Sequence, residues 1–160
     1  MQILKRTLAV VAAVTLTAGA VQAQAPNFAG QWELNAAKSD FGQMAGQAPT
    51  KITMTVEQTA TTVKVAQAMA TPQGDMNTST EYGLDGKQTS SPGPQGMTML
   101  STAKFDGPVL AIESKMSREG MDMTRITRWT LAPDGKSLTV DQNLVTPMGP
   151  FAMKLVFDKK

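Results

Sequence analysis

Residues 121–144 read MDMTRITRWTLAPDGKSLTVDQNL, and this stretch contains the pattern that decides the fold. Large side chains recur there at every second position, at Met121, Met123, Trp129, Leu131, Leu138, Val140 and Leu144. A period of two is typical of half-buried antiparallel strands. Between the two runs, Asp134-Gly135 is a strong hairpin signal, because glycine adopts positive φ without steric penalty. The stretch therefore predicts two antiparallel strands joined by a tight turn.

The same alternation continues through most of residues 28–157 and predicts ten strands. Their predicted ranges are 28–35, 50–58, 61–69, 76–83, 86–90, 97–105, 109–116, 122–131, 136–144 and 150–157. Residues 36–47 are the one place for a helix, and two glycines there disfavour a long one. We predict an all-β fold, an antiparallel up-and-down barrel of about 8–10 strands with little or no helix. A two-sheet sandwich is the alternative, and barrel closure is favoured because it removes sheet edges.

The N-terminal residues have the pattern of a cleavable signal peptide. Lys5 and Arg6 form a positive start, an uncharged apolar run follows, and Val21-Gln22-Ala23 places small residues at a cleavage site after Ala23. The run is too short for a membrane-spanning helix. We expect a signal peptide at 1–23, a single domain at 24–160, and a periplasmic or secreted protein without a transmembrane segment.

Composition excludes several classes of function. The chain has no His and no Cys, so thiol chemistry, disulfides, zinc centres and histidine-based acid–base catalysis are absent. Of 15 Lys and Arg, two lie in the expected leader, and the remaining 13 balance 13 acidic residues. This balance does not indicate a nucleic-acid partner. Without a nucleophile elbow, a phosphate loop or an activating base, we expect neither an enzyme nor a bound cofactor.

The connections between predicted strands divide into two kinds. Four are tight, at 58–61, 84–87, 106–107 and 133–136, and in an up-and-down barrel they lie at one end. Five contain more Gly and Pro and are predicted to be looser, at 36–49, 71–75, 91–96, 117–120 and 146–150. We therefore expect one end of the barrel to be closed and the other to be an irregular rim where a ligand enters.

Methionine is concentrated beside the predicted rim, at Met44, Met76, Met97, Met121 and Met148. Its flexible thioether suits apolar ligands of varied shape and equally suits gaps in a core. Two same-strand pairs, Met97 with Met99 and Met121 with Met123, leave Cu(I) binding open as a minor alternative, because soft thioethers select that ion.

The segment Phe28-Ala29-Gly30-Gln31-Trp32-Glu33-Leu34, followed by Ser39 and Phe41, resembles the opening of the lipocalin and fatty-acid-binding-protein (calycin) superfamily. Small secreted bacterial lipocalin-like domains are the most similar in kind. The resemblance implies a barrel whose first strand carries the structural motif Phe28, Gly30 and Trp32. It also implies a late-strand arginine over Trp32, for which Arg128 and Arg125 are the candidates.

Two features of the family are missing from the sequence. Residues 36–49 do not predict the helix pair that follows the first strand in the fatty-acid-binding branch. The last strand, at 150–157, lacks the Arg-x-Tyr pair that holds a carboxylate in many members. Fatty-acid binding is therefore not carried over from the resemblance.

These features predict a non-catalytic binder of a small apolar or amphipathic molecule, with ligand identity and oligomeric state left open. A filled barrel acting through its surface, in interactions or at the cell envelope, is the alternative. The candidate ligand-binding residues are Met97, Met99, Phe105, Met121, Met123, Arg125, Trp129, Phe151 and Met153. Arg125 shares its parity with Met123 and Trp129, so it either faces an anionic head group inside the barrel or extends to the rim.

Overall fold

A computed structural model describes residues 25–72, 74–93, 96–118 and 120–160, so the expected signal peptide lies outside the described residues. The strands in this part of the chain are β1 (Gly30–Leu34), β2 (Lys51–Gln58), β3 (Thr62–Thr71), β4 (Gly74–Gly83), β5 (Thr89–Pro92), β6 (Thr98–Asp106), β7 (Val109–Arg118), β8 (Met121–Leu131), β9 (Ser137–Thr146) and β10 (Gly149–Lys159). No helix among the described residues is long and apolar enough to cross a membrane.

The strands form one ten-stranded antiparallel sheet, in the order β4-β3-β2-β1-β10-β9-β8-β7-β6-β5. Each strand pairs with its neighbours in sequence except β4 and β5, which do not pair with each other, and β1 pairs with β10, Trp32 opposite Lys159. The two edge strands of this sheet are β4 and β5. They approach each other without pairing, so the barrel is nearly closed. The predicted all-β barrel is confirmed, and the sandwich is not formed.

One end of the barrel is filled by a continuous apolar core, which we call the closed half. Phe28 and Trp32 are fully buried there, together with Leu110, Leu138 and Phe157. The ring of Phe28 stacks on Phe105 with centroids 6.3 Å apart and meets Trp129 edge-on at 5.7 Å. This aromatic group seals the end formed by the turns at 59–61, 84–88, 107–108 and 132–136.

The motif on β1 is held by its neighbours in space. The indole N–H of Trp32 donates to the carbonyl of Phe28 over 2.9 Å. The cation over the Trp32 ring is Lys159, with Nζ 5.3 Å from the centroid, so the expectation of Arg128 or Arg125 is wrong. Gly30, at φ 139°, leaves room for this side chain, since a Cβ there would lie 2.9 Å from Cε of Lys159. Cross-strand pairing of Trp32 with Lys159 brings the lysine to the ring.

The prediction of uniformly loose connections at the other end is wrong. Only two residues separate β3 from β4, β7 from β8 and β9 from β10. Gly74, Gly120 and Gly149 have φ of 123°, 80° and 120°, and positive φ allows such short turns. The long connections at this end are 35–50 and 93–97. The glycines thus extend the strands instead of loosening the rim.

This end is nevertheless the open one, and we call the barrel above the core the open half. Met121 at the start of β8 is 52% exposed, and Met148 in the β9–β10 turn is 87% exposed. Met44 and Met76 are also exposed at this end. Met76 and Met121 share the inward alternation of their strands, so these inward positions are open to solvent, unlike those of the closed half.

The connection between β1 and β2 continues along the edge of β10 beyond the end of β1, where Asp40 forms a β-bridge with Lys154. It contains two short 3₁₀ helices, Ala36–Lys38 and Gly42–Gln47, so a helix pair of the family type is not formed. Asp40 and Lys154 exchange two backbone hydrogen bonds of 2.7 Å, and the Ser39 hydroxyl accepts from the Val156 N–H over 2.9 Å. These bonds fasten the segment along β10.

Candidate ligand cavity inside the barrel

A cavity of about 80 Å³ lies directly above the aromatic core. It is lined by Met54, Val65, Gln67, Tyr82, Ile112, Arg125, Thr127, Trp129, Val140, Gln142, Leu155 and Phe157. Water occupies about 30 Å³ per molecule in the liquid, whereas pockets for drug-sized ligands measure roughly 300–1,000 Å³. This space therefore fits a small polar group, and any longer molecule has to extend into the open half.

Arg125 is the cation of this cavity. It lies near the middle of β8, and alternation directs it inward with Met123 and Thr127. Its Nη2 donates to the sulfur of Met99 over 3.3 Å. Thioether sulfur is a weak acceptor, and no carboxylate among the described residues pairs with this guanidinium. Among the described residues, the structure thus places a half-buried cation inside the barrel whose side-chain partner is a thioether sulfur.

Two buried serines continue this polar level across the sheet. Ser114 is directly opposite Arg125 on β8 and opposite Ser101 on β6. Their hydroxyl oxygens are 2.8 Å apart, and both side chains are fully buried. Together with Gln67 and Gln142 they make the interior polar at the boundary between the two halves.

The predicted site residues do not form a single group. Arg125 and Trp129 line the cavity, and Met99 contacts Arg125. Phe105 is instead part of the closed half, because it stacks on Phe28. The others lie in the open half, where Met97, Met123, Phe151 and Met153 are half-buried and Met121 is exposed.

Sequence reasoning missed four residues that matter to this interior. Gln67 continues the inward alternation of Val63 and Val65, and Gln142 lies between Val140 and Leu144, so parity alone could have found both. Tyr82, the penultimate residue of β4, lines the cavity. Met116 is buried between Met99 and Met123, a relation set by strand register and invisible in the sequence.

No protein-family model matches the chain, and no curated protein sequence does. Solved structures do match. A secretory abundant heat soluble protein of Ramazzottius varieornatus is 11% identical, with TM-score 0.59 over 82% of this chain and 94% of its own. Zebrafish ileal bile acid-binding protein, complexed with cholic acid, is 13% identical, with TM-score 0.57 over 83% and 98%.

A third similar structure is fatty-acid-binding protein 1 of Echinococcus granulosus, 12% identical with TM-score 0.54 over 82% of this chain and 96% of its own. At such identities the likeness concerns the fold. Strand number, strand order and near-closure all agree with it. The chain therefore has the calycin fold, as a ten-stranded barrel of the fatty-acid-binding-protein type.

Proposed function

We propose that the protein is an exported, non-catalytic carrier that holds a small amphipathic anion inside its barrel. The observation that carries this proposal is Arg125, an interior cation whose one described polar partner is a thioether sulfur. Arg125 is half-buried, and a cation held partly out of water without a carboxylate or phosphate is costly, so an anionic group on a ligand is a suitable partner. The signal-like N-terminal sequence supports an extracytoplasmic location.

The cavity and the open half suggest how such a ligand lies. A carboxylate matches the small space beside Arg125, Gln142 and Thr127, where charge-assisted hydrogen bonds would replace the weak bond to Met99. The apolar tail would then pass towards the open end along Met123, Phe151 and Met153. Thioether side chains adapt to tails of different shape.

The similar structures support the class of ligand. They include a bile acid-binding protein complexed with cholic acid, a fatty-acid-binding protein and a fatty acid transporter. Those ligands are amphipathic and carry a carboxylate. In this chain the last strand lacks an arginine, so we assign the head-group contact to Arg125 on β8.

The test compares a fatty acid with the alcohol of the same chain length, for example laurate with dodecanol, by titration calorimetry. The wild-type protein should prefer laurate. Arg125→Met should reduce laurate affinity by roughly 10–100-fold, the value of a hydrogen bond to a charged group, and leave dodecanol affinity within about twofold. Lys115→Met, which removes an exposed cation on β7, is the matched control and should change neither.

The thermal midpoint of Arg125→Met should equal or exceed that of the wild type, because an unpaired interior charge has been removed. An unchanged ratio of laurate to dodecanol affinity in Arg125→Met would show that Arg125 does not contact the head group.

A second function is a filled barrel that acts through its surface. The small cavity volume of about 80 Å³ favours it. Ligands that bind only the folded state raise the midpoint of unfolding. If neither laurate nor dodecanol at saturating concentration raises the midpoint, the filled barrel is the better description.

A further inference from the structure

Three methionines are successive neighbours across three strands. Met99 on β6 is opposite Met116 on β7, and Met116 is opposite Met123 on β8. All three face the interior, with Met99 3% and Met116 6% exposed and Met123 half-buried. Directly opposite residues in an antiparallel pair have Cβ atoms about 4.5–5.5 Å apart. We call these residues the methionine row.

The methionine row is separate from the core. The apolar cluster around Phe28 and Trp32 does not include Met99 or Met116, although both are buried. Each of the three strands carries a polar residue two positions closer to the closed end, and these are Ser101, Ser114 and Arg125. They separate the row from that cluster. The row is thus a set of sulfur-bearing side chains on a polar boundary and not part of the packing that seals the barrel.

We propose that the methionine row binds one soft monovalent cation, Cu(I), through three thioether sulfurs. Soft sulfur ligands select Cu(I) over hard cations such as Mg²⁺ and Ca²⁺. Each methionine has three rotatable side-chain bonds, so sulfurs from adjacent strands can converge on one ion. This site differs from the same-strand pairs that the sequence offers, because each strand supplies one ligand.

Arg125 opposes metal binding at this position. Its Nη2 lies 3.3 Å from the Met99 sulfur, so that hydrogen bond has to break before the sulfur can coordinate a metal. The guanidinium charge also repels a cation over so short a distance. Removal of this charge should therefore strengthen metal binding, whereas the same change weakens binding of an anionic lipid. The two sites thus respond in opposite directions to one substitution.

The test uses Ag(I), a redox-inert probe for Cu(I), in chloride-free buffer. Binding is followed by calorimetry and by NMR of protein labelled with ¹³C in the methionine methyl groups. We expect one Ag(I) per chain and chemical-shift changes in the methyl groups of Met99, Met116 and Met123. Met116→Leu should reduce Ag(I) affinity by about 10–100-fold, and Arg125→Leu should increase it.

Met148→Leu is the matched control, since Met148 is 87% exposed and far along the chain from the row. It should leave Ag(I) affinity unchanged. Met116→Leu conserves side-chain volume at a buried position, and its thermal midpoint should stay close to that of the wild type. The proposal would be overturned by an absence of Ag(I) binding or by equal Ag(I) affinities of Met116→Leu and Met148→Leu. Chemical-shift changes confined to the exposed methionines would also overturn it. Lipid binding is measured separately, so its failure would not affect this result.

Discussion

The closed and open halves of the barrel are built from the same strands but differ in what the inward positions carry. In the closed half these positions hold aromatic and aliphatic side chains, and Phe28, Trp32 and Phe157 are fully buried. In the open half they include several methionines, Phe151 and Arg125, and of these Met123, Met153, Phe151 and Arg125 are half-buried. Continuous hydrogen bonding along β7–β10 joins the two halves. The comparison indicates that the closed half maintains the fold and that the open half is free to bind.

The strongest test of this division is truncation of a side chain in each half. Phe28→Ala should lower the free energy of unfolding by about 3–5 kcal/mol, because it removes a fully buried ring in contact with Phe105 and Trp129. Met153→Ala, at a half-buried position on β10, should cost less than half as much. Chemical denaturation monitored by tryptophan fluorescence measures both. Equal losses would show that the halves do not differ in their contribution to stability.

A glycine in the connection between β1 and β2 tests how closely this segment packs on β10 in the open half. Gly42 has φ 53°, and a Cβ there would lie 2.4 Å from the carbonyl oxygen of Ala152. Gly42→Ala should therefore destabilise by about 1–3 kcal/mol. Gly46→Ala, which meets nothing within 4 Å and needs no positive φ, should be neutral or stabilising by under about 1 kcal/mol. Thermal melts of the two variants distinguish these outcomes, and a tolerated Gly42→Ala would mean that this segment is not held against β10.

The boundary between the halves depends on the serine pair. Ser114→Ala leaves the buried Ser101 hydroxyl without its partner and should cost about 1–2 kcal/mol. The double variant with Ser101→Ala should cost less than the sum of the two single changes, because no unpaired hydroxyl remains. Ser117→Ala on the exposed face of β7 is the control. Additive losses in this cycle would show that the two hydroxyls do not interact.

The smallest effect concerns the exposed seam where β1 meets β10. Hydrogen bonds from Asn35, over 2.6 Å, and from Lys38, over 3.2 Å, hold the pKa of the Asp158 carboxyl below its ordinary value. A carboxyl whose pKa is lowered by folding stabilises the folded protein at pH values above the ordinary pKa of aspartate. This stabilisation is lost as the pH falls through the lowered pKa. Asp158→Asn should therefore lower the thermal midpoint slightly at pH 7, and the difference should disappear once the pH falls below the lowered pKa of Asp158.

For Asp158→Asn, circular dichroism melts across this pH range provide the measurement. Asp122→Asn, at an exposed position on β8, is the control. A midpoint difference that persists unchanged at low pH would show that the carboxylate charge is not the cause.

Strand identity and side-chain direction were readable from the sequence, because the period of two survives along each strand. It predicted the inward direction of Arg125 and the ten strands. Turn length was not readable, since Gly74, Gly120 and Gly149 permit two-residue turns where Gly and Pro suggested loops. The sequence also did not show which residues of different strands are neighbours. Register alone puts Met116 between Met99 and Met123, and Phe105 reaches Phe28 from a position that alternation had assigned to the ligand site.

The pairing of β1 with β10 has a consequence for how the chain reaches its folded state. The strand at Gly30–Leu34 needs Phe157–Lys159 as its second neighbour, so almost the whole chain must be available before the barrel can close. Contacts between residues so far apart in sequence carry a large loop-closure entropy and are associated with slow folding. A chain that emerges N-terminus first, from a ribosome or through a translocation channel, would keep β1 singly paired until its last strand arrives. Closure is therefore expected to follow synthesis or transport, and until then β1 presents an unpaired edge to other chains.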